Sequence, residues 1–80
     1  MIPPRIENIK ALDDFRMQVT YVNGETKVYD MNKNLKHKCY EKLKNIAYFK
    51  LAKSVGTTNE WPNGEDIDPN ELYDNSFNIN

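Results

Sequence analysis

The chain has 80 residues, a formal net charge of −1, 39% hydrophobic residues and 29% charged residues. These values are typical of a globular domain and exclude a disordered or membrane chain, since no apolar run approaches the ~20 residues of a membrane helix. The N-terminus lacks the apolar stretch of a signal peptide, so we expect a cytoplasmic protein without membrane association. The one cysteine, Cys39, rules out an internal disulfide and any metal site that needs two thiolates.

The first predicted elements are an edge strand and a hairpin. Pro3 and Pro4 belong just outside an edge strand over residues 5–12, where an apolar spacing of three indicates a bulge. Residues 15–22 alternate apolar and polar side chains, and Asn23–Gly24 favours a two-residue loop because both residue types tolerate positive φ. That loop sets the register and predicts a core face of Phe15, Met17, Val19, Tyr21 and Val28. The wetter face would carry Arg16, Gln18, Thr20 and Lys27.

Residues 32–49 are predicted to form one amphipathic helix. Its apolar stripe recurs at intervals of four, four and three residues. The stripe consists of Leu35, Cys39, Leu43 and Ile46, flanked by Tyr40 and Ala47. Asn32 or Asn34 would cap its start. His37 lies about 200° around this helix from Cys39, so we expect a buried cysteine and a solvated histidine, not a nucleophile pair.

The segment after the helix is predicted to return along the sheet. Residues 49–55 would form a strand with Phe49, Leu51 and Val55 inward, and the chain would come back at Glu60–Trp61 before a turn at 62–64. A single tryptophan in a small fold is more often a core anchor than a ligand contact, and we expect the core position.

A short C-terminal helix is predicted next. Asp68 is its N-cap, Pro69 its first residue and Glu71 the third, and Leu72 and Tyr73 would dock it. The predicted architecture is therefore α+β, with a small antiparallel sheet of about four to five strands, one amphipathic helix on one face, and this short helix. Residues 1–80 form one domain, with the core at about 3–76 and a loose tail at 77–80.

Motifs for chemistry are missing from the sequence. It contains no phosphate-binding loop, dinucleotide fingerprint, zinc-protease motif or nucleophile elbow. This absence disfavours an enzyme, and no cofactor is expected. The acids of the C-terminal region do not match a calcium loop, so no metal site is assigned, and a small metal-dependent enzyme stays as the third hypothesis.

Charge is divided unevenly along the chain. Residues 31–53 hold seven lysines and one acid, whereas residues 54–80 hold six acids and no base. The two segments can neutralise each other within the fold or remain as separate patches. The candidate contacts for nucleic acid or an acidic protein are Lys36, Lys38, Lys42, Lys44 and Lys50. The acidic candidates are Glu65, Asp66 and Asp74. An ordinary solvated lysine face is the alternative explanation.

Three stretches carry a family resemblance: PPRIENIKALDDFRMQVTYVNGETKVYDM, YFKLA and EWPNGEDIDPNELYDNS. Over about residues 3–76 the chain resembles the small bacterial proteins grouped as domain of unknown function 2442. The signature positions are Tyr29, Asp30, Phe49, Trp61, Pro62, Asn63, Gly64, Asp66, Asp68, Pro69, Leu72 and Tyr73.

The resemblance implies a compact α+β domain with no established activity. Members occur alone or fused to a helix-turn-helix module, and they are often encoded beside another small protein, which implies toxin–antitoxin-like pairs. We therefore expect a non-catalytic protein-interaction module with another small protein as partner, or a homodimer through the edge strand after Pro4. Nucleic-acid binding through the lysine-rich helix face is the alternative.

Overall fold

Two antiparallel sheets are present in the computed structural model, which describes residues 2–79. The strands are β1 (Ile6–Ala11), β2 (Arg16–Tyr21), β3 (Thr26–Asp30), β4 (Lys53–Ser54), β5 (Asn59–Glu60) and β6 (Phe77–Asn78). The main sheet has the order β1-β2-β3-β6, and β4 pairs with β5. The predicted edge strand and its bulge are confirmed, since the β1–β2 register shifts between Ile6 and Asn8. With its short helices, the fold has the predicted α+β class.

The β2–β3 hairpin differs from the prediction by one residue of register. Its loop has three residues, because the Tyr21 N–H donates to the Glu25 carbonyl (2.8 Å) and the Gly24 N–H donates to the Tyr21 carbonyl (3.0 Å). Only Gly24, with φ 95, is left-handed in this loop, which is the pattern of a type I turn followed by a glycine bulge. The shift moves Lys27 to the core face and Val28 to the outer face, the reverse of the prediction.

The segment predicted as one helix consists of three short pieces. Two are 3₁₀ helices, at Met31–Asn34 and Lys38–Lys44, and the third is α1 (Ile46–Phe49). A 3₁₀ helix has three residues per turn, so an interval of three replaces the predicted interval of four. From Tyr40 onward the residues that follow this interval and pack in the core are Tyr40, Leu43, Ile46 and Phe49. Leu35 packs against the core as predicted, Tyr48 also does so, and Ala47, predicted to flank the stripe, is exposed. Cys39, predicted to be buried, is exposed.

Side-chain caps begin the first and the third of these pieces, whereas His37 at the start of the second makes no side-chain cap. Asp30 accepts a hydrogen bond from the Asn32 N–H (2.9 Å) and starts the first 3₁₀ helix, so the cap precedes the predicted Asn32 or Asn34. Asn45 accepts from the Ala47 N–H (2.9 Å) and starts α1. Each cap residue has an extended backbone and satisfies helix N–H groups that would otherwise bond to the preceding turn.

Aromatic residues from distant parts of the chain meet in the core. Trp61 is fully buried, as expected, and its Nε1 donates to the Phe49 carbonyl (2.8 Å). Phe49 lies between the rings of Trp61 (6.0 Å) and Phe15 (5.3 Å). Phe15 belongs to the β1–β2 loop, with φ 64, and not to the predicted strand. The other fully buried hydrophobic residues between 2 and 79 are Met17, Val19, Tyr21, Tyr29, Met31, Leu43, Ile67 and Leu72.

The region after α1 contributes less sheet than predicted. Phe49 points into the core but belongs to α1, and Leu51 and Val55, predicted inward, are exposed. The chain returns in β5, one residue earlier than the predicted Glu60–Trp61. β4 and β5 contribute only two residues each.

The predicted C-terminal helix is confirmed as α2 (Pro69–Asp74). Asp68 caps it by accepting from the N–H groups of Asn70 (3.1 Å) and Glu71 (3.2 Å). Within the tail that we expected to be loose, residues 77–78 form β6 at the edge of the main sheet, and Asn80 lies outside the described residues. Phe77 pairs with Val28 there, and Asn78 pairs with Lys27.

Candidate functional site

The candidate lysines are all on the surface. Lys36, Lys38, Lys42 and Lys44, which we call the lysine segment, are exposed and form no ion pair with any residue between 2 and 79. Lys50 is exposed too, but its ammonium is paired with Asp13. The lysine segment therefore carries four charges that the rest of the described fold leaves uncompensated.

The basic and acidic parts of the chain largely keep separate charges. Within residues 2–79, the one ion pair between them is Lys33–Glu71, at 3.5 Å. Of the two arrangements that the sequence allowed, the fold is closer to separate patches than to internal neutralisation.

An open groove of about 620 Å³ lies at one end of the lysine segment. Its lining residues are Glu41, Lys42, Lys44, Asn45 and Tyr48. The groove follows from the local chain path, because Asn45 ends the second 3₁₀ helix and caps α1. Sequence reasoning did not single out Glu41 or Asn45, and the signal for Asn45 is a cap-forming residue in the middle of an apparently helical run.

Tyr48 ties this groove to the turn after Trp61. Its Oη donates to Glu65 Oε1 (2.7 Å) and accepts a hydrogen bond from the Asn63 N–H (2.9 Å). Desolvation and the bond to Glu65 raise the pKa of Tyr48, so the phenol stays protonated and continues to donate to the carboxylate. The Tyr48 ring is therefore held at a fixed place beside the lysines.

The turn at residues 62–64 repeats the geometry of the β2–β3 loop. The Trp61 N–H donates to the Glu65 carbonyl (2.9 Å), and the Gly64 N–H donates to the Trp61 carbonyl (2.8 Å). Gly64 has φ 95, the same value as Gly24. Both turns end in the sequence Asn-Gly-Glu, and both need glycine at the left-handed position.

The acidic candidates do not form one site. Glu65 is half-buried and bonded to Tyr48, while Asp66 is exposed and its carbonyl accepts a hydrogen bond from Tyr40 Oη (2.8 Å). Asp74 is exposed at the end of α2. Between residues 2 and 79, no three His, Cys, Asp or Glu side chains are grouped as metal ligands would be. The described helices include none with the length and hydrophobicity to cross a membrane.

The family comparison covers nearly the whole chain. Residues 6–78 match the model of the family described as "Protein of unknown function (DUF2442)". The chain belongs to this family. The resemblance inferred from the signature positions is thus confirmed. Comparisons with curated proteins and with solved structures gave no match.

Two signature residues of this DUF2442 chain, Tyr29 and Tyr73, connect α2 to the sheet. Tyr29 Oη donates to Glu71 Oε2 (2.8 Å) and accepts from Asn34 Nδ2 (2.6 Å). Tyr73 packs edge-on against Tyr21, with ring centroids 5.0 Å apart. Burial is the main cause that raises the pKa of Tyr29, and the Tyr29 hydrogen bond is the main cause that lowers the pKa of Glu71.

Lys27, which the shifted register places on the core face, also connects the sheet to α2. Its side chain is buried, and its ammonium lies 3.8 Å from the centroid of the Tyr73 ring. The same ammonium donates to the Tyr73 carbonyl at 2.5 Å. The Tyr73 hydroxyl in turn donates to the Glu25 carboxylate. This lysine is therefore a structural residue, unlike the exposed lysines of the lysine segment.

Proposed function

We propose that this DUF2442 chain is a non-catalytic protein-interaction module whose lysine segment contacts an acidic surface of another small protein, as one half of a two-gene pair. The observation that carries the proposal is the set of four exposed lysines without ion-pair partners among residues 2–79. Uncompensated charge on one surface attracts a complementary surface and orients its approach. The groove beside Lys42 and Lys44 adds a concave place for a partner's side chains.

The test is binding to the product of the adjacent gene, with charge reversal in pairs. Lys36→Glu with Lys38→Glu, and Lys42→Glu with Lys44→Glu, each reverse two charges of the lysine segment. Lys10→Glu with Lys53→Glu reverses two exposed charges outside it and is the matched control. We expect at least one segment pair to abolish co-purification at moderate salt while the control retains it. Retention by both segment pairs would contradict the proposal.

Nucleic-acid binding by the same lysines is the second candidate, because Tyr40 lies among them, Tyr48 lines the groove with Lys42 and Lys44, and aromatic rings beside cations suit single strands. This candidate predicts that affinity falls steeply as the salt concentration rises, because binding to phosphates releases their counterions. A gel-shift titration of the purified chain at two salt concentrations tests it. Absence of any shift at low salt would remove this candidate.

Self-association through the edge strand β1 is a weaker proposal. β1 has one strand neighbour in the main sheet, so part of its backbone is open to pairing. However, it carries a bulge between Ile6 and Asn8 and an exposed Lys10, which are features that natural edge strands use against pairing. Light scattering of the purified chain at increasing concentration decides between monomer and dimer.

A further inference from the structure

We infer that the groove lined by Glu41, Lys42, Lys44, Asn45 and Tyr48 recognises an extended acidic peptide segment that also carries an apolar or aromatic side chain. This inference rests on the proposed function and specifies where on the lysine segment the partner sits and what chemistry it presents. It divides the segment into a groove pair, Lys42 and Lys44, and an outlying pair, Lys36 and Lys38.

Charge complementarity selects the acidic part of the ligand. Lys42 and Lys44 line the groove, and neither has an ion-pair partner among residues 2–79. Carboxylates of a bound peptide can pair with these lysines without displacing an existing ion pair. Lys50, by contrast, would have to leave Asp13 before binding another acid.

The fixed Tyr48 ring selects the apolar part. The hydroxyl of Tyr48 is already engaged by Glu65 (2.7 Å) and by the Asn63 N–H (2.9 Å), so the ring is the portion left for a ligand. An aromatic ring that is ordered before binding loses little conformational entropy when a ligand packs against it. A leucine or tyrosine next to the ligand's carboxylates fits this surface.

The acids at the groove favour a peptide over a nucleic-acid strand. Glu41 lines the groove, and the Glu65 carboxylate accepts a hydrogen bond from Tyr48, which also lines it. A nucleic-acid backbone carries a charge at every phosphate and would place some of them against these carboxylates. A peptide can put a neutral or basic residue opposite Glu41 and its acids opposite the lysines, so the groove discriminates by repulsion as well as attraction.

Fluorescence anisotropy of the full chain tests the inference with two labelled probes. One is a peptide of about twelve residues in which glutamate alternates with leucine and one tyrosine, and the other is a single-stranded oligonucleotide of similar charge. We expect Lys42→Glu with Lys44→Glu to weaken peptide binding at least about tenfold, and Lys36→Glu with Lys38→Glu to weaken it less than about threefold. Tyr48→Phe keeps the ring but removes the two hydroxyl bonds that fix it, so it should lose less affinity than Tyr48→Ala, which should lose about as much as the groove pair.

Three outcomes would overturn the inference. Equal losses from the two lysine pairs would mean attraction by surface charge alone. Equal affinities of Tyr48→Phe and Tyr48→Ala would remove the ring from recognition. Tighter binding of the oligonucleotide than of the peptide would assign the groove to nucleic acid. The proposed function has its own test: it fails if neither lysine pair affects binding to the adjacent gene's product. If only the substitutions at Lys36 and Lys38 weaken that binding, the proposed function stands and the role of the groove is refuted.

Discussion

Tyr29→Phe removes one hydroxyl from the core and leaves the aromatic ring in place. The ring is fully buried, and the hydroxyl bonds to Glu71 at 2.8 Å and to Asn34 at 2.6 Å. A hydrogen bond to a charged group contributes about 1.5–3 kcal/mol, and one between neutral groups about 1 kcal/mol. Glu71 and Asn34 are half-buried and can rehydrate in the variant. We therefore expect the free energy of unfolding to fall by about 2 kcal/mol, which is the low end of the combined contribution of the two bonds.

Urea unfolding followed by tryptophan fluorescence measures this loss. Trp61 is the single tryptophan and is buried 6.0 Å from the Phe49 ring, so its emission reports loss of the core. Tyr40→Phe is the matched control, since it removes a hydroxyl whose bond to the Asp66 carbonyl is exposed, and it should cost about 0.5 kcal/mol. Equal losses in the two variants would refute Tyr29 as the tie between β3 and α2.

The stability lost in Tyr29→Phe should also depend on pH. The hydrogen bond from Tyr29 is the largest cause that lowers the pKa of Glu71 from its ordinary value of 4.5. A lowered pKa means that ionised Glu71 stabilises the fold above its unfolded-state pKa and that this contribution is lost as the pH falls through the folded-state value. The difference between wild type and Tyr29→Phe should therefore be larger at neutral pH than in acid, and a difference that grows in acid would contradict this assignment.

Two further predictions concern the glycine turns and a buried phenol. Gly24 and Gly64 both have φ 95 and open space where a Cβ would be added. Gly24→Ala and Gly64→Ala should each cost about 1–2 kcal/mol from the left-handed backbone alone, and clearly unequal thermal shifts would contradict the shared geometry. Burial raises the pKa of Tyr21 from 10.0 to about 12, so stability should fall as the pH rises through this interval. The fall in the urea midpoint should be smaller in Tyr21→Phe than in wild type but not absent, because the pKa values of Tyr29 and Tyr48 are raised as well. An equal fall in the two proteins would exclude a contribution from Tyr21.

Elements with local signals were predictable from the sequence. α2 follows from Asp68 and Pro69, because a cap side chain and a proline at the first helical position act within a few residues. The bulged edge strand follows from the two prolines and the irregular apolar spacing. Trp61 was assigned to the core on residue type alone, and the family signature marked the segment that closes the fold.

The remaining features depend on contacts between distant residues. The hydrophobic pattern of residues 32–49 fits intervals of three and of four, and packing against the sheet selects three. Asn-Gly allows a two- or a three-residue loop, and the choice reverses which of Lys27 and Val28 is on the core face. Lys27 is accommodated there by Tyr73, which lies 46 positions along the chain.

The groove was also unpredictable from the sequence, because it too depends on contacts between distant residues. It depends on Asn45 interrupting the helical run and on Tyr48 reaching the turn at Asn63 and Glu65. No periodicity in the sequence relates Tyr48 to that turn. The lysines, in contrast, were identified from composition alone, because charge density along the chain is visible without the fold.

The affinity of the purified chain for the product of its adjacent gene is the decisive measurement for the proposed interaction. Calorimetric titrations would compare wild type with the two lysine-segment pairs and with the control Lys10→Glu and Lys53→Glu. We predict that the wild type and the control bind alike and that Lys42→Glu with Lys44→Glu binds at least about tenfold more weakly. Unchanged affinity in both lysine-segment pairs would contradict it.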